Sequence, residues 1–140
     1  MLNNDKKYYT PTIEEFHIGF ECEKYHYNRD YGNLDLNLSG YEKFVVRDKF
    51  DIPLDKDSCT FYRVKYLDSE DIESLGFKYY KKGWGSGSLI FRSNRGEGLE
   101  LYFRDDYPLQ ISKANGLILF EGFIKNKSEL KKLLTQLGIC

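Results

Sequence analysis

Few residues in this chain have both the type and the spacing for chemistry. The most suggestive run is YYKKGWGSGS, residues 79–88, which holds the only tryptophan and three glycines at alternate positions. Tyr80 and Trp84 could stack on a planar ligand, and Lys81 and Lys82 could meet phosphate oxygens. Arg92 and Arg95 follow in the next hairpin and extend the basic character. The glycines match neither GxGxxG after a strand nor GxxxxGK[ST], so no dinucleotide or P-loop fingerprint is present. The stretch reads as a hairpin loop that carries a candidate contact surface. Successive hairpin loops alternate ends of a sheet, which places 82–87 and 93–97 apart unless an oligomer reunites them.

Two further constellations stand out. Glu121 sits inside the apolar run LILFEGFI with the strand parity of Leu117, Leu119 and Phe123. A carboxylate at such a position calls for a basic partner or a ligand pocket. Glu15, His17, Glu21 and Glu23 share one parity of IEEFHIGFECE and could bind a divalent cation or run acid–base chemistry. A solvated strand face explains them as well. No HExxH, HxH or GxSxG spacing occurs, and the three cysteines at 22, 59 and 140 form no CxxC pair. The expectation is therefore no metal, no cofactor and no catalytic residue, with a non-enzymatic role favoured over an enzyme. Cys22 shares the parity of Phe16, Ile18 and Phe20 and reads as a small core residue.

Composition points to the scaffold that must hold these groups. Of 140 residues 16% are aromatic, with twelve Tyr and ten Phe, whereas Ala114 is the sole alanine. That balance favours pleated sheet over helix. The length suits one domain, 1–140, with residues 1–9 a loose start. Formal net charge is −1, which offers no global field for nucleic acid or membrane. Charge is uneven, though. Residues 76–96 contain Lys78, Lys81, Lys82, Arg92 and Arg95 and no acid. The polar start and the absence of a long apolar run predict a protein of the reducing cytoplasm.

Periodicity supplies the elements. Alternation over 13–23 predicts a first strand, followed by strands at 34–38, 43–47 and 61–66. Asp68 or Ser69 caps a short helix that Gly76 stops. Five strands follow, at 77–81, 88–92, 99–103, 109–112 and 117–124, joined by turn-rich connections. The last of them is apolar enough to be a central strand covered on both faces. Asn126 with Glu129 opens a final helix whose stripe is Leu130, Leu133, Leu134 and Leu137. The fold expected is α+β: mainly an antiparallel meander, with a short mid-chain helix and an amphipathic C-terminal helix packed on the sheet.

Three segments, YTPTIEEFHIGFECE (9–23), YRVKYLDSEDIESLGF (62–77) and FEGFIKNKSELKKLLTQLGI (120–139), resemble a family of short uncharacterised proteins encoded by phages and mobile elements of gut bacteria. The resemblance implies a phage-like origin and action in a bacterial host cytoplasm, and it carries no functional residue. Combined with the basic aromatic stretch, it leads to the expectation of a phage accessory protein that binds a host-derived target. A nucleotide-type defence signal, sequestered in a homo-oligomer, is the concrete version. The alternative is a protein–protein module, either a host-enzyme inhibitor or a minor virion component.

Overall fold

The computed structural model describes residues 7–26, 40–83, 85, 87–94, 98–105 and 107–139. The strand expected at 34–38 lies outside them, as do Trp84, Arg95 and Cys140. The architecture is α+β and mostly β: two antiparallel sheets, a short helix and a C-terminal helix. The chain divides into two compact units, residues 1–66 and 67–140, each with its own sheet and core.

In the first unit the strands are β1 (Tyr8–Tyr9), β2 (Glu21–His26), β3 (Gly40–Val45) and β4 (Tyr62–Lys65), in the order β1-β4-β2-β3. The strand expected from residue 13 starts only at Glu21. Ile13–Glu15 is instead a 3-10 turn capped by Thr12, and Gly19 then reverses the chain at φ 94°. The alternation was misleading because a 3-10 turn followed by a reversal also buries Phe16, Phe20 and Cys22. Ile18 exposes the difference: it is 68% accessible, not inside. The core of this unit gathers Phe16, Phe20, Cys22, Val46, Cys59, Tyr62 and Val64.

On its other face one residue from each strand builds a ladder. Arg63 donates through Nε and Nη2 to Glu23 Oε1, at 3.2 and 2.8 Å. Its guanidinium carbon lies 3.8 Å from the Tyr8 ring centroid and 3.9 Å from that of Tyr41. The four side chains come from β1, β4, β2 and β3, so the ladder spans the whole sheet.

In the second unit, Asp68 accepts from Asp71 N and caps α1 (Ser69–Ser74), which ends before Gly76 at φ 99°. The meander follows as β5 (Phe77–Lys82), β6 (Leu89–Ser93), β7 (Leu99–Phe103), β8 (Leu109–Lys113) and β9 (Ile118–Gly122), in that order across the sheet. Pairing aligns Tyr79, Phe91, Leu101, Ile111 and Phe120 in one row. That face is covered by α2 (Lys127–Gln136), whose Leu130 and Leu134 are fully buried in the same core as Ile72, Phe91, Leu101 and Ile111. Asn126 accepts from Glu129 N at 2.8 Å and the Glu129 carboxylate accepts from Lys125 N at 2.7 Å, which closes the helix start. The one misplaced element is β9. It is an edge strand, not a central one, and Leu117, Ile118 and Phe123 are exposed along it.

Two predictions follow from this packing. Leu101→Ala removes a fully buried side chain from a central strand and should cost about 2–5 kcal/mol in urea unfolding. Phe123→Ala, at a residue 69% exposed, should stay within about 0.5 kcal/mol. The thiols give a pH test. Burial, with Glu23 nearby, pushes the Cys22 thiol from 9.0 up to about 12, and burial also raises Cys59. The folded state therefore keeps the Cys22 proton where the unfolded chain releases it. Stability from this group should be intact below pH 9 and fall as pH rises from there towards 12. A thiol reagent at neutral pH should modify Cys22 and Cys59 only once the chain unfolds.

Candidate functional site

The face of the five-stranded sheet opposite α2 carries the alternate residues of each strand. Cross-strand pairs place Lys81, Ile90, Tyr102, Gln110 and Glu121 in one row, with Arg92, Glu100 and Ser112 in the next. Ile90 is only 3% exposed, although it lies outside the helix-covered core. It forms the floor of a cleft of ≈ 460 Å³ bordered by Lys81, Lys82, Gly83, Gly85, Arg92, Glu100 and Tyr102.

A bulge in β5 lies beside this cleft. Tyr79 pairs with Phe91 and Lys81 with Ile90, so Tyr80 is an extra residue on its strand. An extra residue breaks the strict alternation and turns a second neighbouring side chain towards the same face. Tyr80 consequently meets Arg92, whose guanidinium carbon is 3.5 Å from its ring centroid, while Lys81 faces Ile90. The Lys81 ammonium stands 5.3 Å from the same ring.

The glycines then shape the rim. A Cβ on Gly83 would approach Ser88 Cβ to 3.0 Å and Ile90 Cγ1 to 3.4 Å, and Gly83 N donates to Ser88 O at 2.9 Å. Gly83 thus passes tightly against the cleft floor. Gly85 is held at φ 88°, which disfavours a side chain, and a Cβ there would lie 3.3 Å from Nη1 of the Arg104 guanidinium. Arg104 in turn rests 3.8 Å from the Tyr107 ring centroid.

Arg92 is held at its edge by Glu100, with Nε and Nη2 each 3.2 Å from Oε1. Tyr102 donates its hydroxyl to the other oxygen, Oε2, at 2.8 Å. This bond to Glu100, followed by burial and the carboxylate charge, raises the Tyr102 phenol above its ordinary value. Among the described residues, three cations and one carboxylate border the cleft, a net of +2, with Arg104 beside it. Its chemistry is a donor-rich rim around an apolar floor.

Several expected site residues meet here and others do not. Tyr80, Lys81, Lys82 and Arg92 come together within a single chain, and no second subunit is needed to bring Arg92 to the glycine loop. Trp84 and Arg95 lie outside the described residues. Glu121 is not inside a core: it is exposed, shares the open face, and pairs across from Gln110. Three strand steps separate it from Ile90, about 14 Å at the usual spacing, so it stands apart from the cleft. The proposed Glu15/His17 face is dispersed as well. Glu15 accepts from Tyr9 OH at 2.7 Å and Thr12 N at 2.6 Å, while His17 Nδ1 lies 2.9 Å from Glu15 O. Among the described residues, no three His, Cys, Asp or Glu side chains gather as metal ligands. Sequence reasoning missed Glu100, Tyr102 and Arg104. Loop alternation could have found Arg104, since the loops after β5 and β7 share one end of the sheet.

The chain matches no protein-family model, no curated protein and no solved structure. Among the described residues, no helix is long and apolar enough to cross a membrane.

Two substitutions probe this geometry. Gly83→Ala should lower the unfolding free energy by about 1–3 kcal/mol, because its new methyl meets Ser88 and Ile90. Glu100→Gln removes the charge and loosens the bond that holds the Tyr102 proton. The phenol should then titrate at lower pH than in the parent protein, as read by NMR of ring-labelled tyrosine with Tyr102→Phe for assignment.

Proposed function

We propose that this chain is a non-enzymatic binding protein whose open-face cleft takes a small nucleotide-type anion and sequesters it unchanged. The observation that carries this reading is the cleft rim: Lys81, Lys82 and Arg92 around the buried Ile90 floor, with Tyr80 backing Arg92. Its volume of ≈ 460 Å³ suits a ligand of mononucleotide size. Lysine ammoniums bind phosphate as point charges, and arginine planes and tyrosine rings stack on bases. The setting, a phage-encoded accessory in a bacterial host cytoplasm, rests on the likeness of the three segments quoted above, and a homo-oligomer would bury the bound ligand between subunits.

Calorimetry against cyclic, mono- and ADP-ribose-type nucleotides tests the proposal, with mass spectrometry of the recovered ligand. The expected result is a saturable heat with at least one of them and a chemically unchanged ligand. Paired Lys81→Ala and Lys82→Ala changes should weaken it at least tenfold, and added salt should weaken it further. Absence of heat with the whole panel sinks the reading. A protein-binding role is the second reading, favoured by Phe50, Leu54 and Phe61, which stand exposed on the first unit.

A further inference from the structure

Every cation around the cleft is a donor only, so Lys81, Lys82, Arg92 and Arg104 would accept any phosphate or sulfate alike. Selectivity must come from something else. Among the described residues, Glu100 is the one acidic side chain in the lining, and its side chain is 18% exposed against 50% for Arg92. A carboxylate has about four acceptor positions on its two oxygens. Among the described residues, Arg92 occupies Oε1 and Tyr102 occupies Oε2, which leaves acceptor capacity on the pair. Tyr102, also in the lining, spends its only proton on Glu100, so its hydroxyl can only accept from a ligand. The cleft is thus bipolar. Among the described residues, unpaired positive charge lies at Lys81 and Lys82, whereas at the other end Glu100 balances Arg92 and adds acceptor positions.

We infer that Glu100 is the specificity-determining residue of this cleft, admitting anions that also carry hydrogen-bond donors and disfavouring bare phosphates. This rests on the binding reading above and names its ligand class: a nucleoside phosphate, with its phosphate at the lysines and its donors at Glu100. Such donors have two sources, the ribose cis-diol and the exocyclic amine of the base. Both offer N–H or O–H groups that a carboxylate accepts in pairs. A naked pyrophosphate offers neither and leaves the acceptor positions of Glu100 unmatched.

The test is calorimetry on the full chain with AMP, 2′-deoxy-AMP, purine riboside 5′-monophosphate and inorganic pyrophosphate. The parent protein should bind AMP at least tenfold more tightly than pyrophosphate. Loss of affinity with deoxy-AMP assigns the donors to the diol, and loss with the purine riboside assigns them to the amine. Glu100→Gln should weaken AMP at least tenfold while leaving pyrophosphate equal or tighter. Glu100→Asp, which keeps the charge but withdraws it by one methylene, should weaken AMP and leave pyrophosphate unchanged, so one misfolded variant does not stop the test. Equal losses for AMP and pyrophosphate would show that Glu100 merely orients Arg92 and would overturn the inference. So would unchanged AMP binding in both variants, with the binding reading intact. No heat from the parent protein with any of these probes overturns the inference, and no heat with the cyclic and ADP-ribose-type nucleotides as well removes the binding reading with it.

Discussion

The burial of one row of side chains governs the second unit. Phe91, Leu101, Ile111 and Phe120 lie opposite one another across four strands and meet Leu130 and Leu134 of α2. In a pleated sheet each such residue is flanked by neighbours that point the other way. Once the row is buried, Ile90, Arg92, Glu100, Tyr102 and Gln110 have no choice of face. The open-face cleft is therefore a by-product of the core register, and a one-residue slip in β6 or β7 would abolish both together. The pairing is irregular at Tyr80 in β5 and again between β8 and β9, where Leu119 is passed over, and it is the Tyr80 bulge that lays an aromatic ring against Arg92.

The glycine-rich loop serves this arrangement through close approach as much as through flexibility. Gly83 lets the backbone pass against Ile90, which is how an apolar residue on the uncovered face becomes buried without a second helix. Gly85 leaves space for Arg104, carried in by the next loop at the same end of the sheet. The glycines thus answer local requirements of the hairpin, close approach at Gly83 and positive φ at Gly85 and Gly87, and the phosphate-cradle pattern that they resemble by composition is not needed to explain them.

Much of this was legible along the chain. β5 to β9, α1 and α2 were readable because period-two runs alternate with turn formers, and because Asp68 and Asn126 provide caps followed by stopping glycines. The first unit was less legible: its early alternation at Phe16, Phe20 and Cys22 is produced by a 3-10 turn and a reversal at Gly19, which bury the same parity as a strand. β9 was misjudged because apolar character on both faces also describes an edge strand with exposed Leu117, Ile118 and Phe123. The site was half visible. Local composition exposed Tyr80, Lys81, Lys82 and Arg92, whereas Glu100 and Tyr102 joined them only through cross-strand register, a property no single window of sequence contains.

Two arginines show why composition alone does not mark a binding surface. Arg63 and Arg92 each stack on tyrosine and pair with a glutamate across a strand boundary. Two ring centroids within 3.9 Å of one guanidinium carbon, from Tyr8 and Tyr41, occupy both of its faces, so Arg63 is closed on itself and serves to tie β1 and β3 to the sheet centre. Arg92 has Tyr80 against it and Glu100 at its edge, borders a cleft, and is half exposed. Stacking fixes a guanidinium plane at low entropic cost, and a fixed plane with an accessible face is preorganised for a planar partner. The difference between a structural arginine and a presenting one lies here in the second ring, and the second unit provides none beside Arg92 among its described residues.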